Sequence, residues 1–253
     1  MTSWWGRTRQ RPNATSRHLR GLREGYGEGE EEAKVGEAPP ALFGGGVEPN
    51  SDTLPVLFGK FTRYLNSKAM TCPGIFAKDI PDKDVEVLKR RVAVEGEKVQ
   101  LTNHTKNQYV VARLFVEYLE GLAEPLLTYS MYNCFMTIPT LRCYKHQLAM
   151  LVMYLQMLPR GYVVCVQFVL SLLQRFRQQS DQNGTSTSLL TRVFRRCFLR
   201  PPPHGYFAEG DEEGRLLVTE MLVEESETIL KSISQVRRRV EKEIAGRAGK
   251  QDR

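Results

Sequence analysis

TKNQYVVARLFVEYLEGL, Thr105 to Leu122, holds the most regular hydrophobic pattern in the chain. Val111, Leu114, Phe115, Tyr118, Leu119 and Leu122 fall at i, i+3, i+4, i+7, i+8 and i+11, so a helix through them carries one continuous apolar stripe. A stripe this wide belongs in a helical core, because a lone helix of this length is marginal in water. Thr105 followed three residues on by Gln108 has the form of a capping box and predicts the helix start.

Outward from this helix the same period recurs. Upstream, Leu54, Leu57, Phe58, Phe61 and Leu65 predict an amphipathic helix ending around Asn66. Val85, Leu88 and Val92 predict a second, with Asp82 as its cap and Glu86 paired with Arg90 on its wet face. Downstream, helices are expected over Ser130 to Met136, Tyr144 to Leu158, Tyr162 to Gln178 and Ser188 to Phe198. The β-branched run YVVCVQFV from Tyr162 has strand character in isolation, but its continuation into LLQRFRQQ favours helix. Pro201-Pro202-Pro203 closes the last of these helices. From Glu212 to Ala245 the apolar positions, Leu216 to Ile244, predict a long helix that contains Arg237-Arg238-Arg239 near its end. No segment makes a convincing strand, so the fold class is all-α.

Three regions follow from this pattern. Residues 1–51 run from basic through acidic to Gly/Pro-rich with few periodic apolar positions, which predicts a disordered arm and linker. Residues 52–210 form the bundle, and residues 211–253 a C-terminal basic helix and tail.

Of the 253 residues, 41% are hydrophobic and 26% charged, values that support a folded core, and the net charge of +7 favours anionic partners. The five cysteines (Cys72, Cys134, Cys143, Cys165, Cys197) are odd in number, widely spaced and without a CxxC, which predicts reduced thiols, a cytoplasmic location and no disulfide-linked partner. No uncharged apolar run is long enough to cross a membrane. The N-terminus lacks the apolar core of a secretory signal; its arginines and its lack of acids before Glu24 give it a weak likeness to a transit peptide. On a cytoplasmic chain the Asn-X-Thr triplets at Asn13, Asn103 and Asn183 are coincidental.

The usual catalytic constellations are missing. His18, His104, His146 and His204 lack metal-ligand spacing, so no metal or cofactor is expected. Gly44-Gly45-Gly46 precedes Val-Glu-Pro and not a phosphate-binding helix start, and Cys72 has no identifiable base.

Three short motifs remain, in order. Gly74-Ile75-Phe76 forms an apolar turn between the first two helices; Tyr118-Leu119 with Leu122-Ala123-Glu124-Pro125-Leu126 ends the central helix; Phe198-Leu199-Arg200-Pro201-Pro202 ends a late one. Together, over roughly Leu54 to Pro203, they resemble the Rho GTPase-activating (RhoGAP) domain family, an all-α bundle. The resemblance implies that one arginine, following the Gly-Ile-Phe turn, is pushed toward the phosphates of a GTP-loaded Rho-type GTPase, where it neutralises developing charge. Here that position is Ala77, and a methyl group cannot donate to a phosphate oxygen.

Other departures point the same way. The lysine and arginine that the resemblance implies on the central helix align with Val116 and Glu120, and an asparagine of the late helix aligns with Leu189. Lys78 is a possible substitute for the finger, although it lacks the planar fork of a guanidinium. Arg113, Glu117 and Glu120 are expected to be exposed, and Arg192, Arg195 and Arg196 to lie near the same face. The expected partner surface therefore comprises Lys78, Arg113, Val116, Glu120, Leu189, Arg192 and Arg196. The chain is similar to the degenerate RhoGAP-like domains of inositol polyphosphate 5-phosphatases or of DEP-domain proteins. The reading this favours is a GTPase-binding adaptor with little or no catalysis. Alternatives are an active GTPase activator using a non-standard basic residue, Lys78 or Arg90/Arg91, and a membrane-surface adaptor acting through the basic ends. Nucleic acid is not an expected partner, since base-stacking aromatics do not interleave the C-terminal basic run.

Overall fold

The computed structural model describes residues 45–203 and 210–235, and these form an all-α bundle. Among the described residues the helices are α1 (Val56–Lys68), α2 (Asp82–Glu95), α3 (Leu101–His104), α4 (Gln108–Glu120), α5 (Tyr132–Met136), α6 (Tyr144–Met157), α7 (Arg160–Gln178), α8 (Ser180–Asn183), α9 (Thr187–Phe198) and α10 (Asp211–Glu224). Helical residues 226–235 follow α10 after a one-residue break at Glu225, so the expected final helix is interrupted. The arm expected over 1–51 lies outside the described residues as far as residue 44, as does the run Arg237-Arg238-Arg239.

Proline sets three of the helix starts. Pro55, Pro81 and Pro159 stand immediately before α1, α2 and α7, with φ of −51°, −56° and −54°, angles that already suit helix entry. This displaces Asp82 from the expected cap position to the first residue of α2, where its charge still meets the positive end of the helix. The capping box at Thr105 does not form either. Asn107, a stronger N-cap than threonine, takes that role: its Oδ1 accepts from Tyr109 N at 3.1 Å, while Thr105 Oγ1 accepts from Asn107 N at 2.9 Å. Glu86 and Arg90 do pair, at 3.6 Å on the exposed side of α2.

The core is built around α4, whose Val111, Leu114, Phe115 and Leu119 are fully buried. Phe58 and Phe61 of α1 pack against Phe115 with ring centroids 5.7 and 5.8 Å apart, and Phe61 lies 5.6 Å from Tyr118. α10 packs on α9, burying Val218, Met221, Leu222 and Val223, while Glu212 pairs with Arg195 at 3.0 Å across the two helices.

The end of the linker docks, contrary to expectation. Val47 is buried, Gly161 N donates to Pro49 O at 2.9 Å and Ala123 N to Gly45 O at 3.2 Å. The residue at 161 must be glycine for this approach: a Cβ there would stand 2.0 Å from the Glu48 carbonyl oxygen.

Candidate functional site

The turn that joins α1 to α2 is fastened at each end and in its middle. Gly74 adopts φ of 67°, the left-handed conformation glycine takes without strain. Its carbonyl accepts from both Ala77 N and Lys78 N at 2.9 Å, and its own N–H donates to Asn183 O at 2.8 Å. Phe76 drives between two rings, edge-on to Phe176 of α7 at 4.9 Å and to Phe194 of α9 at 5.3 Å. With Ile75 and Phe76 buried, Ala77 and Lys78 are left exposed at the tip.

Asn183 holds the start of this turn. The fully buried amide donates through Nδ2 to Met70 O at 2.7 Å and Phe176 O at 2.9 Å, and its Oδ1 accepts from Thr185 N and Thr185 Oγ1. The far end is held by Arg113, whose guanidinium donates to Ile80 O and to Asp82, with Glu117 at 3.3 Å. Lys78 is engaged within the chain: its Nζ lies 4.5 Å above the ring of Tyr109, whose hydroxyl donates to Pro73 O at 2.9 Å.

Along α4 the residues divide. Arg113 is only 12% exposed and Glu120 is half-buried, which corrects their expected exposure: both lie where α4 packs on neighbouring elements. Val116 is 3% exposed, its side chain lies in the core, and its carbonyl accepts from Cys197 Sγ at 3.8 Å. Burial pushes the Glu120 carboxyl above its ordinary value, with Arg196 and Arg200 opposing the shift, and Glu120 Oε1 has no hydrogen-bond partner. The end of α4 is closed by Arg200, which donates to Glu120 O and, at 2.6 Å, to Leu122 O. On α9, Leu189 is half-buried, Arg192 and Arg196 are exposed, and Arg195 is turned away to Glu212.

The structure thus groups Ala77, Lys78 and Arg113 around the first half of α4, with Glu120 and Arg196 at its other end. Asn183, Thr185 and Tyr109 are supporting residues that the motifs did not indicate. The available signal was the Asn183-Gly184 pair, a turn-forming dipeptide. Among the described residues no group of three or more His, Cys, Asp or Glu side chains is arranged to hold a metal ion.

The RhoGAP domain profile matches residues 55–203, more than half of the chain. The chain belongs to the RhoGAP domain family. It is 29% identical over 203 residues to Rho GTPase-activating protein gacM of Dictyostelium discoideum, covering 75% of this chain and 22% of that protein. It is 26% identical over 150 residues to human unconventional myosin-IXa, covering 59% of this chain and 6% of the other. This RhoGAP domain chain therefore spans less than a quarter of either relative. Among solved structures, human Rho GTPase activating protein 15 superposes with a TM-score of 0.69 at 18% identity over 77% of this chain and 94% of that one. The BH domain of GRAF gives a TM-score of 0.61, again at 18% identity, over 72% and 97%. Both likenesses establish the RhoGAP fold.

Proposed function

We propose that this RhoGAP domain acts in small-GTPase signalling as a docking module, binding a GTP-loaded Rho-type GTPase without accelerating its hydrolysis. The carrying observation is the tip of the turn. The backbone that would aim a finger is fully braced by Asn183, Phe76 and Arg113, yet the exposed residue at the tip is Ala77 and the neighbouring cation, Lys78, rests on Tyr109. An arginine finger contributes roughly 10³ to 10⁵ in rate by meeting charge on the transferring phosphoryl group, and nothing at Ala77 can supply that charge. The docking surface in this reading is Lys78, Leu189, Arg192 and Arg196, with Arg113 bracing it from below.

Single-turnover GTP hydrolysis by Rho-, Rac- and Cdc42-type GTPases, with and without the protein, tests the catalytic half. The expected result is an unchanged rate for all three, and acceleration of about a hundredfold or more in any of them overturns it. A pull-down with the same GTPases held in the GTP state tests the docking half, which falls if none is retained. Should acceleration occur, Lys78→Ala decides whether Lys78 supplies it.

A further inference from the structure

Residues 45–52 form a strap that bridges the loop after α4 and the start of α7. Ala123 N donates to Gly45 O at 3.2 Å and Gly161 N to Pro49 O at 2.9 Å, and between these two points Val47 is seated with 5% of its surface exposed. The buried Tyr162 hydroxyl meets the main chain of Val47 and the side chain of Glu124. The groove is shaped to the strap's main chain. Gly161 is the second residue of α7, where an N–H has no partner within its own helix, and its bare Cα admits the Glu48 carbonyl to a place where a Cβ would stand 2.0 Å away. Gly46 is different: a Cβ there meets nothing within 4 Å, so the tight fit belongs to the groove wall.

The grip is narrow. Among residues 45–53 only Val47 is buried, and the ion pair of Asp52 with Arg160, at 3.1 Å, joins side chains 46% and 65% exposed, where such pairs contribute little. The strap also holds its own turn, Ser51 N donating to Glu48 O at 3.2 Å and Thr53 N to Ser51 Oγ at 3.0 Å, so leaving the groove does not unmake it. One buried side chain and a few groove contacts stand against the freedom that eight ordered residues give up, a near balance that puts the strap at the low-stability end of the structure. What it grips is firmer. From the other side Arg200 donates to Glu120 O and Leu122 O, Leu126 N to Cys197 O and Leu127 N to Phe198 O. The strap supplies the hold at Ala123, three residues beyond Glu120, whose carboxyl feels Arg196. We propose that residues 45–52 are a detachable clasp, a peptide seated in its own groove, whose opening slackens the α4 end of the candidate site while the bundle stays folded. The groove selects an extended segment with one β-branched side chain between two main-chain carbonyls four residues apart. The clasp does not rest on the GTPase reading, because every readout of it lies in the chain itself.

Native-state amide exchange on the full, unmodified chain is the first test. The Ala123 and Gly161 amides, both donated to the strap, should exchange together and about tenfold or more faster than those of Val111 and Leu119, in an opening that low urea scarcely affects. Exchange at the rate of the core amides would overturn the clasp. Gly161→Ala should strip protection from Ala123 and speed the amides of Gly121 and Leu122, leaving Val111 to Phe115 unchanged, whereas Gly46→Ala should leave the clasp closed. Equal effects of the two alanines, or acceleration of the whole bundle together by Gly161→Ala, would contradict it. Last, a fluorescent capped peptide, Gly-Gly-Val-Glu-Pro-Asn-Ser-Asp, is titrated into three full chains. It should bind Val47→Asp, whose own strap is expelled, about tenfold more tightly than the unchanged chain, where the tethered strap competes at high effective concentration. Adding Gly161→Ala to Val47→Asp should abolish binding. A peptide that ignores a helical Val47→Asp chain, or that binds the double variant equally well, would remove the groove; if Val47→Asp loses its helicity, exchange in the unmodified chain decides.

Discussion

Asn183 directs both protons of its amide nitrogen at main-chain carbonyls, those of Met70 and Phe176, on two different elements. Asn183→Asp keeps the shape and replaces the donor by an oxygen facing two other oxygens. The expected cost is on the order of 3 kcal/mol, from two lost donors in a buried setting, read as a lowered urea midpoint with an unchanged m-value. Glu120 offers a test with pH. Its carboxyl is raised in the folded chain, chiefly by burial, so folding favours the protonated form. The penalty is absent below the unfolded carboxyl value of about 4.3, grows as pH rises through the folded value, and is complete above it. Glu120→Gln should therefore raise the melting temperature at neutral pH, with the gain vanishing below about pH 4. A gain of the same size at every pH would show that charge is not the cause.

At the scale of elements, the close of α4 depends on a residue 80 positions downstream: Arg200 covers the carbonyls of Glu120 and Leu122. Arg200→Ala should cost about 1.5–3 kcal/mol, the range for hydrogen bonds to a charged group, measured by chemical denaturation, and should speed amide exchange in the last turn of α4 before that of α1. The elements themselves were legible in the sequence because burial in a bundle imposes the 3.6-residue period on Val111 to Leu122, and the same logic carried α1, α7 and α9. Their ends were less legible. A cap is decided by competition among close neighbours, and Asn107 outcompetes Thr105 by two residues. The braces of the candidate site were hidden for another reason. Asn183 meets Met70 across 113 residues, and Arg113 reaches Ile80 across 33, separations that no local pattern encodes. The charge of Arg113 suggested a wet face, whereas the fold leaves its side chain only 12% exposed, held by the Ile80 carbonyl, Asp82 and Glu117.

For the molecule as a whole, the family match ends at residue 203 while the packing does not. α10 lies against α9 and buries Val218, Met221, Leu222 and Val223, each contributing about 1.5–3 kcal/mol on burial. A chain ended after Pro203 should lose several kcal/mol of stability, and its exposed α9 face should bind a hydrophobic dye that the full chain does not; equal melting temperatures for the two chains would contradict this. The tight seat of Asn183 also bears on how the protein ages. Asn-Gly is the dipeptide most prone to spontaneous deamidation, in which the glycine nitrogen attacks the asparagine side chain to close a succinimide ring and release ammonia. In the folded chain Gly184 N is donated to Ser180 O at 2.8 Å and the Asn183 amide is locked on its two carbonyls, so the attack geometry arises only when this corner opens. Conversion at Asn183 is then a chemical clock for transient unfolding, slow in the intact protein and faster in any variant that loosens the bundle.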